Sequence, residues 1–351
     1  MTHKCYFVPK QLIEKLPTKK KIEEQKGIDD SLRDRRKNFL KHPVERNSIL
    51  AVMRKKTTHK EVRRLFDSKN SYNLTDEPII TDTQTHSSAP SANDALQLAN
   101  LAYDFFHDKF HQESFDGKNS PIDIHINYGK KYNNAFYDGL QLVFGNGDGK
   151  YFRTFLTIDI LMHELTHAVT DHNCGLVYEN QPGALNEHLS DVFAMALKQR
   201  RLRERASQAS WVVGEGIFTG SIKGNGIRTF KNEPAFNDPV LGLDDQPKHM
   251  DNYMDLPNSD EGDYGGVHIN SGIPNRAFYE FCLMAEKEVS DEWVNRSWKA
   301  PLEIWFDTYR RINPNTDFRK FAYATVRATK SLHPQLQTQI LKAWESVGIK
   351  V

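Results

Sequence analysis

The sequence predicts an α+β protein, with a mixed, β-rich N-terminal region followed by an all-α region. Three observations carry that expectation. Short alternating or turn-bounded apolar segments, the pattern of strands, are concentrated before Thr157. Apolar residues at helical spacing dominate after it. Finally, the first 60 residues are rich in Lys and Arg and poor in aromatics, so they lack a self-sufficient core. No internal repeat is visible.

Residues 1–60 read as short helices and flexible linkers, with two apolar clusters, Tyr6-Phe7-Val8-Pro9 and Leu12-Ile13-Leu16. Residues 53–58 are polar and basic, a candidate cleavage region. From Val62 the texture changes. Residues 62–74 and 78–83 read as short strands or turns, and 84–91 as a Ser/Thr/Pro-containing loop. Leu96, Leu98, Ala99, Ala102, Phe105 and Phe106 give 92–110 a helical period. Residues 122–128 alternate as a strand. Residues 133–144 continue the strand region, closed by the turn Gly145-Asn146-Gly147-Asp148-Gly149. Helices are expected at 159–172, 184–202, 271–289, 301–310, 317–330 and 335–347.

The bulk numbers exclude several classes. At 351 residues, 38% hydrophobic and 26% charged, the chain suits two ordinary globular domains. No apolar run approaches the roughly 20 residues of a membrane helix, so no membrane partner is expected. Lys4, Lys10, Glu14 and Lys15 interrupt the N-terminus, which therefore lacks the apolar centre of a secretory signal. The expectation is a cytoplasmic protein, or one exported by a route that reads no such signal. Cys5, Cys174 and Cys282 are too few and too scattered for a disulfide framework. Net charge is +1, but residues 1–60 hold 17 Lys and Arg against 7 Asp and Glu, leaving the remainder acidic. Such a split suits either nucleic-acid binding or docking of the basic segment on its own acidic partner region. No finger, RNP or helix-turn-helix pattern supports the first, so no nucleic-acid partner is expected.

The chemistry concentrates in His163-Glu164-Leu165-Thr166-His167. Residues four apart share a helix face, so both imidazoles can reach one metal ion. Glu164 is then placed beside a water on that metal. This is the H-E-x-x-H pattern of zinc peptidases. A catalytic zinc takes three protein ligands. Glu187, in Ala184-Leu185-Asn186-Glu187-His188-Leu189-Ser190-Asp191, is the candidate third. Asp191 lies one turn on, suited to accept a hydrogen bond from a liganding imidazole. His188 is a rival ligand by type, but points about 100° away from Glu187.

The blocks HELTHAVTD at 163–171 and GALNEHLSD at 183–191 resemble the zinc motifs of the thermolysin family. Asn133-Asn134-Ala135-Phe136-Tyr137 resembles the family's substrate-binding edge strand. Asp263-Tyr264-Gly265-Gly266-Val267-His268-Ile269-Asn270-Ser271-Gly272 resembles the block with its second catalytic histidine. The similarity spans 62–351, and the short N-terminal segment is most like the protealysin-like branch. The resemblance implies a β-rich domain and an all-α domain joined by the zinc-binding helix, with the active-site cleft between them. It implies a propeptide over 1–55, then peptidase domains over 56–175 and 176–351. His163, His167 and Glu187 would bind zinc. Glu164 would be general base and then proton donor. His268, oriented by Asp263, and Tyr178 would stabilise the oxyanion. Asn134, Ala135 and Arg228 would hold the substrate backbone. A bulky apolar residue would follow the cleaved bond, with Phe152, Ile160, Val213 and Ile227 as candidate pocket residues. A monomer acting on peptide or protein substrates is expected.

One departure from the family stands out. Asp159 and Glu215 occupy places that match its paired calcium site, but Lys198 and Ser210 stand where acidic ligands are expected. Calcium needs six to eight oxygens, so the paired site is expected to be lost. Lys198 would either substitute its charge for the cation or point to solvent. The N-terminal segment would act as an inhibitory propeptide in the cleft. Cys5 is a candidate to cap the zinc's open position, since thiolate is a good zinc ligand; otherwise it is an incidental exposed thiol. The competing reading of the whole chain is a catalytically silent zinc-binding interaction protein.

Overall fold

A computed structural model of the chain describes residues 5–17, 62–81, 90–288 and 299–351. The expected cleavage region at 53–58 and most of the expected loop at 84–91 lie outside them. The chain divides into two compact units. The first comprises Met1–His172, Gly216–Lys223 and Asp238–Leu241; the second comprises Asn173–Glu215, Gly224–Asn237 and Gly242–Val351.

The first unit is built on a six-stranded sheet with the order β1-β5-β6-β4-β2-β3. Its strands are β1 (Cys5–Tyr6), β2 (Arg63–Asp67), β3 (Ile80–Thr81), β4 (Ile122–Ile126), β5 (Ala135–Tyr137) and β6 (Gln141–Phe144). The centre is parallel, β2 to β4 to β6, and the flanks are antiparallel. Central β4 is buried along its whole length. Ile122, Ile124 and Ile126 share one face, while Asp123 and His125 share the other. Asp123 is satisfied from β2: Arg64 donates to both of its oxygens at 2.6 Å. His125 stacks on Phe66 with ring centroids 4.6 Å apart.

Helix α1 is short, Lys10–Glu14. Helix α2, Pro90–Phe110, buries Ala92, Ala95, Leu96, Ala99, Ala102, Phe105 and Phe106 at helical spacing. Helix α3, Ile158–Asn173, is buried continuously from Asp159 to Thr170. An all-round buried helix is a core element, and this one carries the H-E-x-x-H pattern.

The sequence led to short helices in the N-terminal segment. The structure corrects this at Cys5–Tyr6, which form a strand. The reason is non-local: β5 would otherwise be the sheet's edge, and its unpaired backbone groups are a template for another strand. Tyr6 then joins Tyr128, Tyr132, Phe136 and Val143 in a buried cluster.

The buried imidazole of His125 leads to an acid-stability prediction. Burial pulls its pKa from 6.5 down to about 4. The unfolded chain takes up the proton near 6.5, whereas the folded chain does so only near 4. This contribution to stability is therefore full above 6.5 and is lost as pH falls toward 4. Between pH 7 and pH 5 it amounts to about 2 kcal/mol. His125→Phe, which keeps a ring on Phe66, is expected to remove that share of the acid sensitivity in urea titrations. An unchanged pH slope would overturn the assignment.

The second unit is helical, with a small strand pair, β7 (Val212–Val213) and β8 (Arg228–Thr229). Helix α4, Asn180–Leu202, starts four residues before the expected position. Asn180-Gln181-Pro182-Gly183 reads as a turn, but a proline in the first helical turn needs no partner for its missing N–H. The remaining helices are α5 (Asp263–Asn270), α6 (Gly272–Glu288), α7 (Lys299–Thr308), α8 (Phe318–Leu332) and α9 (Gln337–Glu345). Helix α8 is capped by Asp317, which accepts from Lys320 N at 2.8 Å. Trp305 anchors the core, stacked between Phe281 and Trp344. No helix among the described residues is long and apolar enough to cross a membrane.

Candidate active site

In the first unit, Thr157 begins the metal helix: its carbonyl accepts from Leu161 N at 2.9 Å, and its hydroxyl donates to Asp159 at 2.6 Å. One turn apart in α3, His163 and His167 direct their Nε2 atoms at each other across 3.0 Å. Both rings are fully buried, as is Glu164. Two nitrogens held tetrahedrally by one zinc at about 2.0–2.1 Å would be about 3.3 Å apart. The pair is thus pre-set at the spacing of co-ligands.

Strand β5, paired by β1 on its outer side, has Asn134 at its head. The amide of Asn134 holds a peptide backbone from both sides: Oδ1 accepts from Val8 N at 2.9 Å, and Nδ2 donates to Val8 O at 3.0 Å. Phe7 N donates to Ala135 O at 3.1 Å. Two of the three residues expected to hold a substrate backbone, Asn134 and Ala135, therefore hold the protein's own N-terminal segment. Phe7 places its ring edge against His163, with centroids 5.4 Å apart. Cys5 is fully buried in β1, which corrects the alternative of an exposed thiol.

In the second unit, Glu187 and Asp191 lie one turn apart in α4, both fully buried. The Tyr178 hydroxyl donates to Glu187 Oε1 and lies 3.2 Å from His268 Nε2. His268 Nε2 is in turn 3.5 Å from Glu187 Oε1. Asp263 accepts from both the backbone N and Nδ1 of His268, at 2.8 and 2.6 Å. Burial alone would lower the pKa of His268, but the carboxylates of Asp263 and Glu187 outweigh it and hold the value up to about 9. Its Nε2–H is thus a donor at neutral pH.

The backbone that achieves this is unusual. Residues 263–266 form a left-handed turn, with φ of 52° at Asp263 and Tyr264, 84° at Gly265 and 73° at Gly266. Left-handed backbone is costly for residues other than glycine, so two of the four positions carry strain at the site. Gly183 serves a second close approach: a Cβ there would lie 2.5 Å from Val267 and 2.9 Å from the Tyr178 backbone.

Arg228 is fully buried and grips Asp191 with Nε and Nη2, both at 2.7 Å. Nη2 also lies 3.6 Å from Glu187. Within this unit Asp191 thus orients a guanidinium. Asn275 was not singled out from the sequence, yet it donates to Asp191 at 2.9 Å and lies 2.7 Å from His188 Nδ1. Trp305 Nε1 donates to His188 Nε2 at 2.8 Å. Both nitrogens of His188 are therefore engaged, and burial lowers its pKa to about 4. The rival ligand is accounted for as a core histidine. Phe152, Ile160, Val213 and Ile227 are all buried.

Lys198 does not point to solvent. Its ammonium pairs with Glu215 at 2.7 Å and donates to Val212 O at 3.1 Å. Ser210 donates to the same carboxylate at 2.9 Å.

An H-E-x-x-H helix with converging imidazoles, a strand that holds an extended peptide segment and a buried Tyr–His–Asp relay defines a metallopeptidase. Comparison with known proteins gives the family. Residues 26–171 match the thermolysin metallopeptidase catalytic domain, and 174–349 match its alpha-helical domain. An extracellular metalloprotease of Pectobacterium carotovorum subsp. carotovorum is 37% identical over 294 residues, covering 82% of this chain and 81% of that protein. Protease PrtS of Photorhabdus sp. (strain Az29) is 37% identical over 295 residues, covering 82% and 76%. Among solved structures, the precursor of protealysin from Serratia proteamaculans matches with a TM-score of 0.76 at 36% identity, covering 84% of this chain and 89% of that one. The chain belongs to the thermolysin metallopeptidase family, with the family's β-rich domain and helical domain. The family is zinc-dependent. The imidazoles of His163 and His167 and the carboxylate of Glu187 are the donor set a catalytic zinc takes.

Proposed function

We propose that the chain is a zinc-dependent endopeptidase that cleaves before bulky hydrophobic residues and is made as a precursor silenced by its own N-terminal segment. The observation that supports this most is the docking of that segment. It adds a strand to β5 and is held by Asn134 as an extended substrate would be. On this reading residues 1–55 are the propeptide, and 56–175 and 176–351 the peptidase domains.

His163, His167 and Glu187 would hold the zinc. When bound, the metal supplies Lewis acidity toward the scissile carbonyl and lowers the pKa of water toward about 7. Glu164 takes the proton of the attacking water and returns it to the leaving amine. His268, held protonated by Asp263, donates from Nε2 to the developing oxyanion, and the Tyr178 hydroxyl adds a second donor. Asn134 and Ala135 hold the substrate backbone, joined by Arg228, whose direction Asp191 sets. Phe152, Ile160, Val213 and Ile227 shape the apolar preference. The chain works as a monomer. The relative named an extracellular metalloprotease favours action outside the cell.

A quenched peptide with Leu or Phe after the scissile bond tests the reading. Hydrolysis should stop on chelation, return with zinc, and appear as mass is lost from the N-terminus near residues 50–58. Stoichiometric zinc without hydrolysis, even after that segment is removed, would favour the silent binding protein instead.

The Lys198–Glu215 pair supports loss of the paired calcium site. An ammonium among the would-be ligands repels a divalent cation, and it already uses the oxygen that calcium would need. Calorimetry should show no tight calcium binding, and two tight sites would overturn this assignment.

A further inference from the structure

We infer that Cys5 is the fourth zinc ligand of the precursor, so that the N-terminal segment silences the enzyme by closing the metal's coordination as well as by covering the substrate strand. The inference rests on the reading above that His163, His167 and Glu187 hold zinc. Two independent observations carry it. The first is register. Cys5 pairs with Tyr137 and Tyr6 with Phe136, so Cys5 and Phe7 project from one face of β1 and Tyr6 from the other. Tyr6 is in the aromatic cluster and Phe7 lies against His163, so the Cys5 face is the one turned to the metal helix. The second is proximity. Cys5 Sγ and a ring nitrogen of His167 lie within 4.8 Å of each other.

A buried cysteine serving only as a small hydrophobe belongs among apolar side chains. This one instead has its sulfur within 4.8 Å of a His167 ring nitrogen, and thiolate and imidazole are the commonest partners in closed zinc sites. Two histidines, one glutamate and one thiolate make four protein ligands, the number of a structural site with no open position. On coordination Cys5 gives its proton to solvent, and no electron is transferred. The thiol belongs to the segment that maturation removes, so cleavage and withdrawal of that segment open the fourth position.

The test uses the full chain carrying Glu164→Gln, which keeps the N-terminus intact, loaded with cobalt(II) in place of zinc. A sulfur-to-cobalt charge-transfer band in the near ultraviolet, lost in the Cys5→Ser variant while the visible cobalt bands persist, is the expected result. Stoichiometric cobalt with visible bands but no charge-transfer band would overturn the proposal and leave the metal-site reading standing. Failure to bind cobalt at all would overturn both. Alkylation of the unmutated cysteines by iodoacetamide, mapped by mass spectrometry, gives a second readout that needs no substitution at Cys5. Chelation should speed modification of Cys5 by about tenfold and leave Cys174 unchanged. Equal protection of Cys5 with and without metal would show a buried core thiol and overturn the proposal.

Discussion

Replacing Glu164 by alanine is expected to lower kcat for peptide hydrolysis by roughly 10³- to 10⁴-fold while leaving one zinc bound per chain. Glu164 follows the first histidine of the pair in α3, so its carboxylate leaves the helix about 100° from the His163 imidazole. That offset lets it stand beside the ligands without being one. It is fully buried, where a carboxylate is a stronger partner for a proton in transit than it would be in water. Glu164→Gln is the sharper variant, because the amide keeps the volume and one acceptor oxygen but cannot take a proton. Equal losses in the two variants would assign the effect to proton transfer. A much smaller loss in the Gln variant would assign it to packing and remove Glu164 as the base. The expected loss is about 4–5.5 kcal/mol of transition-state stabilisation. Both variants should also keep the N-terminal residues that the wild type is expected to shed. Zinc content is the control: a chain that lost its metal would report on His163 and His167 rather than on Glu164.

What was legible in the sequence divides along the range of the interactions. His163, Glu164 and His167 could be read because four-residue spacing on a helix is local, and the chemistry is written in the residue types. Glu187 and Asp191 followed from the same spacing in the next helix. Asn275 could not be read in this way. Its importance comes from Asp191 and His188, 84 and 87 residues away in sequence, and a buried Asn in α6 looks like any other polar helix residue. The strand at Cys5–Tyr6 was missed because its cause is an edge more than 120 residues further on. His268 was visible only through resemblance. In its glycine-rich surroundings it reads as a turn residue, and only the left-handed turn over 263–266 shows why Asp263 can grip both its backbone and its ring.

That grip sets the second large effect. His268→Ala, measured on the chain freed of its N-terminal segment, should lower kcat by roughly 10²- to 10³-fold with little change in KM. The split follows from where the charge appears. The ground-state carbonyl is neutral, and the donor becomes valuable only as the oxygen turns anionic, so the interaction belongs to the transition state. Asp263→Asn should retain the ring but remove the carboxylate that keeps it protonated, giving a smaller loss of about 10- to 100-fold in the same parameter. Tyr178 shares the work, since its hydroxyl lies 3.2 Å from His268 Nε2 and also donates to Glu187. Tyr178→Phe removes the single hydroxyl proton that Glu187 accepts in the resting chain and that the oxyanion would accept in its place, so the variant should lose some zinc affinity in addition to kcat. If His268→Ala instead raised KM at constant kcat, His268 would be a substrate-binding residue, and the oxyanion assignment would pass to Tyr178 alone.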